Sequence, residues 1–269
     1  MINVVIMGVC GRMGKANIDV FSEDSEIKVV GAVERPGSEY IGMDAGNAAG
    51  LKKIGVVVGS ELDAVIEKAD VIVDFTNPEA TLQTLEHSVK YKKAVVIGTT
   101  GFSEEQRNTI KEYSKEIAVL LSPNMSQGVN ILFYLVKKAA ELLGDEYDVE
   151  LFEIHHNQKQ DAPSGTALRF GRLIAETRGK TLEDVGVFSR KGRIGKRKMG
   201  EIGIMALRLA DAPGDHTVIF GGPGERIEFT HRNISRRTYA SGALKAVKFL
   251  AVKDNGLFGM EDVLGIRSL

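Results

Sequence analysis

Asn3-Val4-Val5-Ile6-Met7-Gly8-Val9-Cys10-Gly11-Arg12-Met13-Gly14 decides how this chain is read. Asn3 to Met7 is a short, almost wholly apolar run, the composition of a strand buried on both faces of a parallel sheet. The glycines that follow are spaced G-x-x-G-x-x-G, a turn where the backbone can approach a phosphate as a helix begins. A helix-like segment runs to Phe21, and Ile27 to Glu34 is a second apolar run ending in a carboxylate. That acid lies about 20 residues beyond the last glycine, as a dinucleotide-binding βαβ unit requires. The spacing is not the usual G-x-G-x-x-G, so the glycines alone carry little. Their place after the first strand, together with Glu34, carries the reading.

The alternation continues outward. Strands are expected at Ala69–Phe75, Ala94–Gly98 and Ile117–Leu121, with helices at Pro78–Tyr91 and Ser103–Lys115. Ser103 reads as an N-cap with Glu105 nearby. Strands alternating with helices predict a Rossmann-type, doubly wound parallel sheet, an α/β fold whose ligands collect at the carboxyl ends of the strands. Those ends read Asp74-Phe75-Thr76, Gly98-Thr99-Thr100-Gly101-Phe102 and Ser122-Pro123-Asn124-Met125. Each is ordinary turn chemistry alone; in series they predict a nucleotide cleft.

After Asn130 the pattern changes. A helix is expected at Ile131–Leu143 and strands at Tyr147–His155, Ile202–Leu209, Thr217–Phe220 and Arg226–His231. The last two would pair as a hairpin through Gly221-Gly222-Pro223-Gly224. This predicts an inserted α+β domain on an open mixed sheet. A final amphipathic helix from Arg237 would return to the first sheet. The division is 1–126 plus 237–269 for a dinucleotide-binding domain and 127–236 for substrate binding and oligomerisation.

One stretch of the inserted domain concentrates the chemistry: Glu153-Ile154-His155-His156-Asn157-Gln158-Lys159-Gln160-Asp161-Ala162-Pro163-Ser164-Gly165-Thr166-Ala167-Leu168. Two imidazoles and a lysine leave a strand end and meet a helix start, with Ser164 at the N-cap position. Any one of the three is usually a solvated side chain. Together, beside the free N–H groups of a helix N-terminus, they predict a carboxylate or phosphate site with acid–base groups. The basic run Ser189–Lys198 reads as a solvated loop; the alternative is a mobile flap adding positive potential near an anion.

Composition sets bounds. The chain has 269 residues, 43% of them apolar, with a net charge of −1. This suits one large or two moderate domains and gives no bias toward nucleic acid or membrane. The single cysteine, Cys10, forms no internal disulfide and fits a reducing compartment. Residues 2–7 lack a basic leader and read as a first strand, not a signal peptide. A cytoplasmic protein is expected, with no metal.

The central stretch closely resembles the signature of the dihydrodipicolinate reductase (4-hydroxy-tetrahydrodipicolinate reductase) family: His-His, a few residues, Lys, then Asp-Ala-Pro-Ser-Gly-Thr-Ala. The likeness extends over almost the whole chain, through the glycine turn, Asp74-Phe75-Thr76, Gly98 to Phe102, Asn124 to Asn130 and Glu225 through Ala243. It implies NADH- or NADPH-dependent reduction of a small cyclic dicarboxylate in diaminopimelate and lysine biosynthesis, by a homotetramer. On this resemblance Gly8, Val9, Cys10, Gly11, Arg12 and Met13 cradle the cofactor pyrophosphate. Glu34 takes the adenosine ribose, and Arg35 stands where a 2′-phosphate would lie. Phe75, Gly98, Thr99, Thr100, Ser122, Pro123, Asn124 and Met125 border the cofactor.

The same resemblance makes His155 and Lys159 the catalytic pair, without saying which gives the proton. His156, Gly165, Thr166, Thr100 and Arg236 fall on substrate positions. Two departures stand out: Met125 replaces a usual aromatic, and Arg208 to Gly214 is less glycine-rich than the family form. An alternative is a nicotinamide-dependent dehydrogenase of another amino- or hydroxy-dicarboxylic acid, with aspartate dehydrogenases nearest in organisation. A non-catalytic nucleotide sensor is a third reading, in which the histidines and lysine would be idle.

Overall fold

A computed structural model describes residues 1–266, which divide into two compact units. The first comprises Met1–Gln127 and the chain from Arg236 onward; the second is Gly128–Ser235. The break falls one residue from each expected boundary. Arg236 groups with the first unit because its carbonyl accepts the Tyr239 and Ala240 amides (3.0 and 3.3 Å), making it the N-cap of the returning helix. The last three residues of the expected 237–269 segment lie outside the described residues.

In the first unit, β1 (Ile2–Met7), α1 (Arg12–Ser22) and β2 (Ile27–Val33) form the opening βαβ unit. A short helix α2 (Ala45–Ala48) and a two-residue strand β3 (Val58–Gly59) follow. Then come β4 (Val71–Asp74), α3 (Pro78–Tyr91), β5 (Ala94–Ile97), α4 (Glu104–Tyr113) and β6 (Ala118–Leu121). Asn77 caps α3 by accepting the Ala80 amide at 3.0 Å, and Pro78 occupies the first helical position, where its missing N–H costs nothing. At α4 the capping-box partner of Ser103 is Gln106, the third residue in, not Glu105. Glu105 stands one position short of where a side chain can turn back to the cap.

All pairings in this sheet are parallel, and with β12 (Gly256–Phe258), contributed from the returning chain, its order is β12-β6-β5-β4-β1-β2-β3. Side chains alternate between two cores: Val4, Ile6, Val71 and Val73 join α1 on one face, while Val5, Ile72, Val95 and Ile97 meet Leu85 and Ile110 of α3 and α4 on the other. The chain order turns back between β1 and β4, where a parallel sheet opens a crevice at its carboxyl edge.

The second unit holds all but the first residue of α5 (Gln127–Leu143), then β7 (Asp148–His155), α6 (Gly165–Thr177), α7 (Leu182–Val185), β8 (Gly186–Val187), β9 (Ile202–Arg208), β10 (Asp215–Gly222) and β11 (Glu225–Arg232). Its sheet order is β11-β10-β7-β9-β8, mixed in direction: β10 runs antiparallel to β7 and β11, and β9 parallel to β7 and β8. The Gly222–Glu225 pairing tightens the β10–β11 turn to Pro223-Gly224. Val149, Leu151, Ile202, Ile204, Val218 and Phe220 bury one face against Phe133 and Phe170 of the helices.

From Arg236 the chain returns to the first sheet. Helix α8 (Arg237–Leu250) packs Ala240, Ala243 and Val247 into the core shared with α1. A Cβ on Gly242 would lie 1.7 Å from the Met125 carbonyl oxygen, so only glycine lets this helix approach so closely. A three-residue strand, β12 (Gly256–Phe258), extends the sheet beside β6, and α9 (Met260–Val263) follows.

Candidate functional site

In the first unit the glycine turn is built for close approach. Gly8 adopts φ +62°, and a Cβ on Gly14 would lie 2.3 Å from the Gly8 carbonyl oxygen. Glu34, at the end of β2, folds over the turn: Oε2 accepts the Cys10 amide at 3.0 Å and Oε1 the Arg35 amide at 3.1 Å. Burial first, then the Glu34 carboxylate, push the Cys10 thiol up to about 11, which leaves it a neutral part of the turn. Beside it opens a cleft of about 590 Å³, lined among others by Gly8, Gly11, Glu34, Arg35, Thr76 and Asn77. A second recess of about 220 Å³ is lined by Met13, Phe75, Gly98, Ser122, Asn124 and Met125. A glycine cradle, an acid above it and recesses along the carboxyl edge of one sheet fit a dinucleotide.

The ring of Phe75 packs so closely on Gly98 that a Cβ there would be 2.0 Å from it. Beneath these loops Asp74 is fully buried. Its Oδ1 accepts the Thr76 amide and the hydroxyls of Thr76, Thr81 and Thr99 at 2.6–3.3 Å, tying the loops after β4 and β5 together. Nothing in the apolar pattern of β4 singled out Asp74. Its place as the first polar residue after a buried strand was the available signal. Thr100 and Arg236 are exposed residues of this unit.

In the second unit His155, His156, Lys159, Gly165 and Thr166 fall in one strand–turn–helix segment. Ser164 caps α6, accepting the Ala167 amide at 3.2 Å, after a cis Ala162–Pro163 peptide. The Leu209 amide donates to the His155 carbonyl (2.8 Å) and the Asn157 amide to the Ala210 carbonyl (3.0 Å), fixing the turn against the end of β9. His155 Nδ1 meets Glu153 Oε2 at 2.5 Å, and Lys159 Nζ holds both oxygens of Asp161 at 2.7 and 2.9 Å. His155, His156 and Lys159 stand in this segment as three potential cations. The structure gives two of them, His155 and Lys159, a carboxylate partner, buried for His155 and largely exposed for Lys159.

Three more residues belong to this cluster. Arg208 reaches Glu153 (3.1 and 3.2 Å) and the Asp161 carbonyl (2.7 Å). His216 lies edge-on to His155 with ring centroids 5.3 Å apart, and its Nε2 is 3.0 Å from Ser164 Oγ. Burial, and after it the charge of His155, hold the His216 imidazole down to about 3, so it stays neutral. Burial would raise Glu153, but the hydrogen bond and charge of His155, and then the charge of Arg208, reverse it; the carboxyl stays below its ordinary value. Lys159 likewise holds Asp161 low. The signals for these residues were the i, i+2 spacing of Glu153 and His155 on one strand face and the register of β7 with β9 and β10.

The basic run is not freely solvated throughout. Arg190 forks onto Glu150 (2.7 and 2.9 Å), and Arg197 bonds Asp148, Glu150 and the Val149 and Glu201 carbonyls. Among the described residues no group of three or more His, Cys, Asp or Glu could hold a metal ion, and no helix is long and apolar enough to cross a membrane.

Comparison with known proteins agrees with this construction. The sequence model "Dihydrodipicolinate reductase, N-terminus" matches residues 2–125, and "Dihydrodipicolinate reductase, C-terminus" matches residues 128–264. The 4-hydroxy-tetrahydrodipicolinate reductase of Syntrophus aciditrophicus is 44% identical over 268 residues, covering all of both chains. That of Syntrophotalea carbinolica is 46% identical over 267 residues, covering 99% of this chain and 100% of the relative. Among solved structures, a dipicolinate-bound dihydrodipicolinate reductase from a Paenisporosarcina species superposes with a TM-score of 0.78 at 24% identity, covering 97% of this chain and 99% of that one. The diaminopimelate dehydrogenase of C. glutamicum shares the fold more distantly, with a TM-score of 0.55 at 14% identity over 96% of this chain and 92% of that one. With both halves matched in order and end-to-end identity above 40%, the chain belongs to the dihydrodipicolinate reductase family.

Proposed function

We propose that this chain reduces 4-hydroxy-tetrahydrodipicolinate to tetrahydrodipicolinate in diaminopimelate and lysine biosynthesis, using NADH or NADPH. The observation that carries it is the joining of His155, Lys159 and the N-terminus of α6 in one short segment of a chain collinear with the family's reductases. When bound, the reduced nicotinamide supplies the hydride. The rest is work for the chain's own side chains.

Overall, a hydride and a proton are taken up, a hydroxyl leaves as water, and two carboxylates must be held throughout. Gly165 and Thr166, in the first turn of α6, suit one carboxylate through N–H and hydroxyl donors. His156 suits the other, and the resemblance assigns the Arg236 guanidinium, a bidentate donor, to the substrate as well. Lys159 exchanges Asp161 for the substrate's charge. His155, with Nδ1 on Glu153, donates from Nε2 only as the imidazolium, so either His155 or Lys159 can release the proton. Gly8 through Met13 cradle the pyrophosphate, Glu34 takes the ribose, and Phe75, Gly98 to Thr100 and Ser122 to Met125 border the nicotinamide. In the larger cleft Glu34 and Glu61 stand with Arg35, while Asp63 is paired with His87 at 2.6 Å, so use of both cofactors with NADH favoured is expected.

The sheet face of the second unit opposite its helices carries Phe152, Ile154, Met205 and Ile219, half-buried, and Leu207, 45% exposed. Self-association through it into a homotetramer is expected, and light scattering on the purified protein tests this. For the activity, the protein is mixed with reduced nicotinamide and freshly made synthase product, and separately with reduced nicotinamide, ammonia and 2-oxo-dicarboxylic acids, the oxidised partners of other amino- and hydroxy-dicarboxylic acids. Cofactor oxidation only with the synthase product supports the reductase. Oxidation coupled to another dicarboxylate favours a different dehydrogenase, and none at all favours a sensor.

A further inference from the structure

Glu153 has no assigned part in this chemistry, yet it is the one fully buried charged side chain on β7, with 0% of its surface exposed. A carboxylate in that position is strongly unfavourable unless it is paired and hydrogen-bonded. The chain meets it from three elements. From its own strand, His155 Nδ1 approaches Oε2 at 2.5 Å. From the α6 cap, the Ser164 amide donates to Oε1 at 3.1 Å. From β9, Arg208 Nη1 reaches both oxygens at 3.2 and 3.1 Å, and Arg208 stands in register with His155.

One carboxylate thus joins the imidazole to the peptide that begins α6. The bond to Nδ1 leaves Nε2 as the nitrogen His155 can turn outward. The chain keeps space there: a Cβ on Gly214 would lie 2.9 Å from Nε2. The other ionisable groups around the ring are Arg208 on β9, neutral His216 on β10, and the Lys159–Asp161 pair in the turn.

We propose that Glu153 is a positioning residue for the reaction: its carboxylate accepts the Nδ1–H of His155, so that Nε2 is the nitrogen that donates when the ring is protonated, and it locks the ring in place relative to the N-terminus of α6. This rests on the reading of His155 and α6 as substrate-side groups. A carboxylate behind an imidazole fixes its tautomer and stabilises its charged form, and replacing the carboxylate by its amide leaves the shape while removing both effects.

The test is Glu153→Gln, assayed over a pH series, beside Glu153→Asp and His155→Ala. The expected result for Glu153→Gln is a fall in kcat of roughly 10- to 1,000-fold, part of what a positioned acid contributes, with the KM for reduced nicotinamide unchanged. Its loss of activity on the alkaline side should also set in at lower pH than in wild type. Glu153→Asp, which keeps the charge, should restore the alkaline limb in part. A Glu153→Gln enzyme with wild-type kcat and pH profile overturns the proposal, provided His155→Ala is impaired. If His155→Ala is itself fully active, the reading of the site fails first.

A second measurement needs no variant and so is independent of whether Glu153→Gln folds. Nitrogen-15 spectra of the wild-type imidazoles should show His155 Nδ1 protonated and strongly hydrogen-bonded across neutral pH. An unprotonated Nδ1 overturns the proposal.

Discussion

Acidification from about pH 7.5 to about pH 5 should cost this protein stability through His216, before any carboxylate titrates. The imidazole is buried on β10, 3% exposed, and burial followed by the charge of His155 lowers it from 6.5 to about 3. A histidine lowered in the native state binds fewer protons there than when unfolded. Its contribution is therefore complete above the unfolded value and is lost as pH falls from 6.5 toward 3. Each unit of that interval is worth about 1.36 kcal/mol, so the 1.5 units down to pH 5 amount to roughly 2 kcal/mol, a sizeable part of a usual total of about 5–15. Glu153 is lowered too, but a depressed carboxylate gives up stability only below its ordinary range near 4.3, outside this window. His231, held low by burial, adds in the same direction as His216. Urea unfolding followed by circular dichroism at constant ionic strength measures the slope. His216→Asn should flatten most of it, leaving the share of His231. A wild-type stability that is level between those pH values, or a variant with the wild-type slope, would refute the reasoning.

Lys159→Met should lower kcat by about 10²–10⁴, while binding of NADH, read by its fluorescence, stays near wild type; full kcat would leave His155 as the acid. Thr166→Val should keep the fold and weaken the dicarboxylate by about 1.5–3 kcal/mol, roughly 10- to 150-fold in KM, with cofactor KM unchanged. Steady-state kinetics should show both cofactors used and NADH favoured; a preference beyond roughly a thousandfold, above 4 kcal/mol, contradicts the mixed Glu34–Arg35 reading.

Much of the fold was legible because its strands are either continuously apolar or strictly alternating. Val71-Ile72-Val73 can only be buried on both faces, and Val149-Glu150-Leu151 only on one. The stretch between β2 and β4 was not legible. It is held by Asp44, whose side chain accepts four amides, of Gly46, Asn47, Ile54 and Gly55, and no periodicity announces a structure pinned by one carboxylate. Strand β12 was missed for a related reason: three residues beginning with glycine form a strand only because β6 offers an open edge. At the site, the segment from His155 to Thr166 stood out by residue type. The partners that set its charges did not. Arg208 and His216 reach it through strand register across 50 or more positions of sequence, and Glu153 is recognisable only once β7 is known to bury that face.

The central claim, hydride delivery to a cyclic dicarboxylate with loss of water, is tested most directly by isotope transfer. The protein is given reduced nicotinamide deuterated on the transferring face at carbon 4, with freshly generated 4-hydroxy-tetrahydrodipicolinate, and the product is read by mass and nuclear magnetic resonance. One deuterium per turnover on the ring carbon of tetrahydrodipicolinate that lost its hydroxyl is the predicted result. An unlabelled product, or a cofactor recovered still reduced beside unchanged substrate, would contradict it.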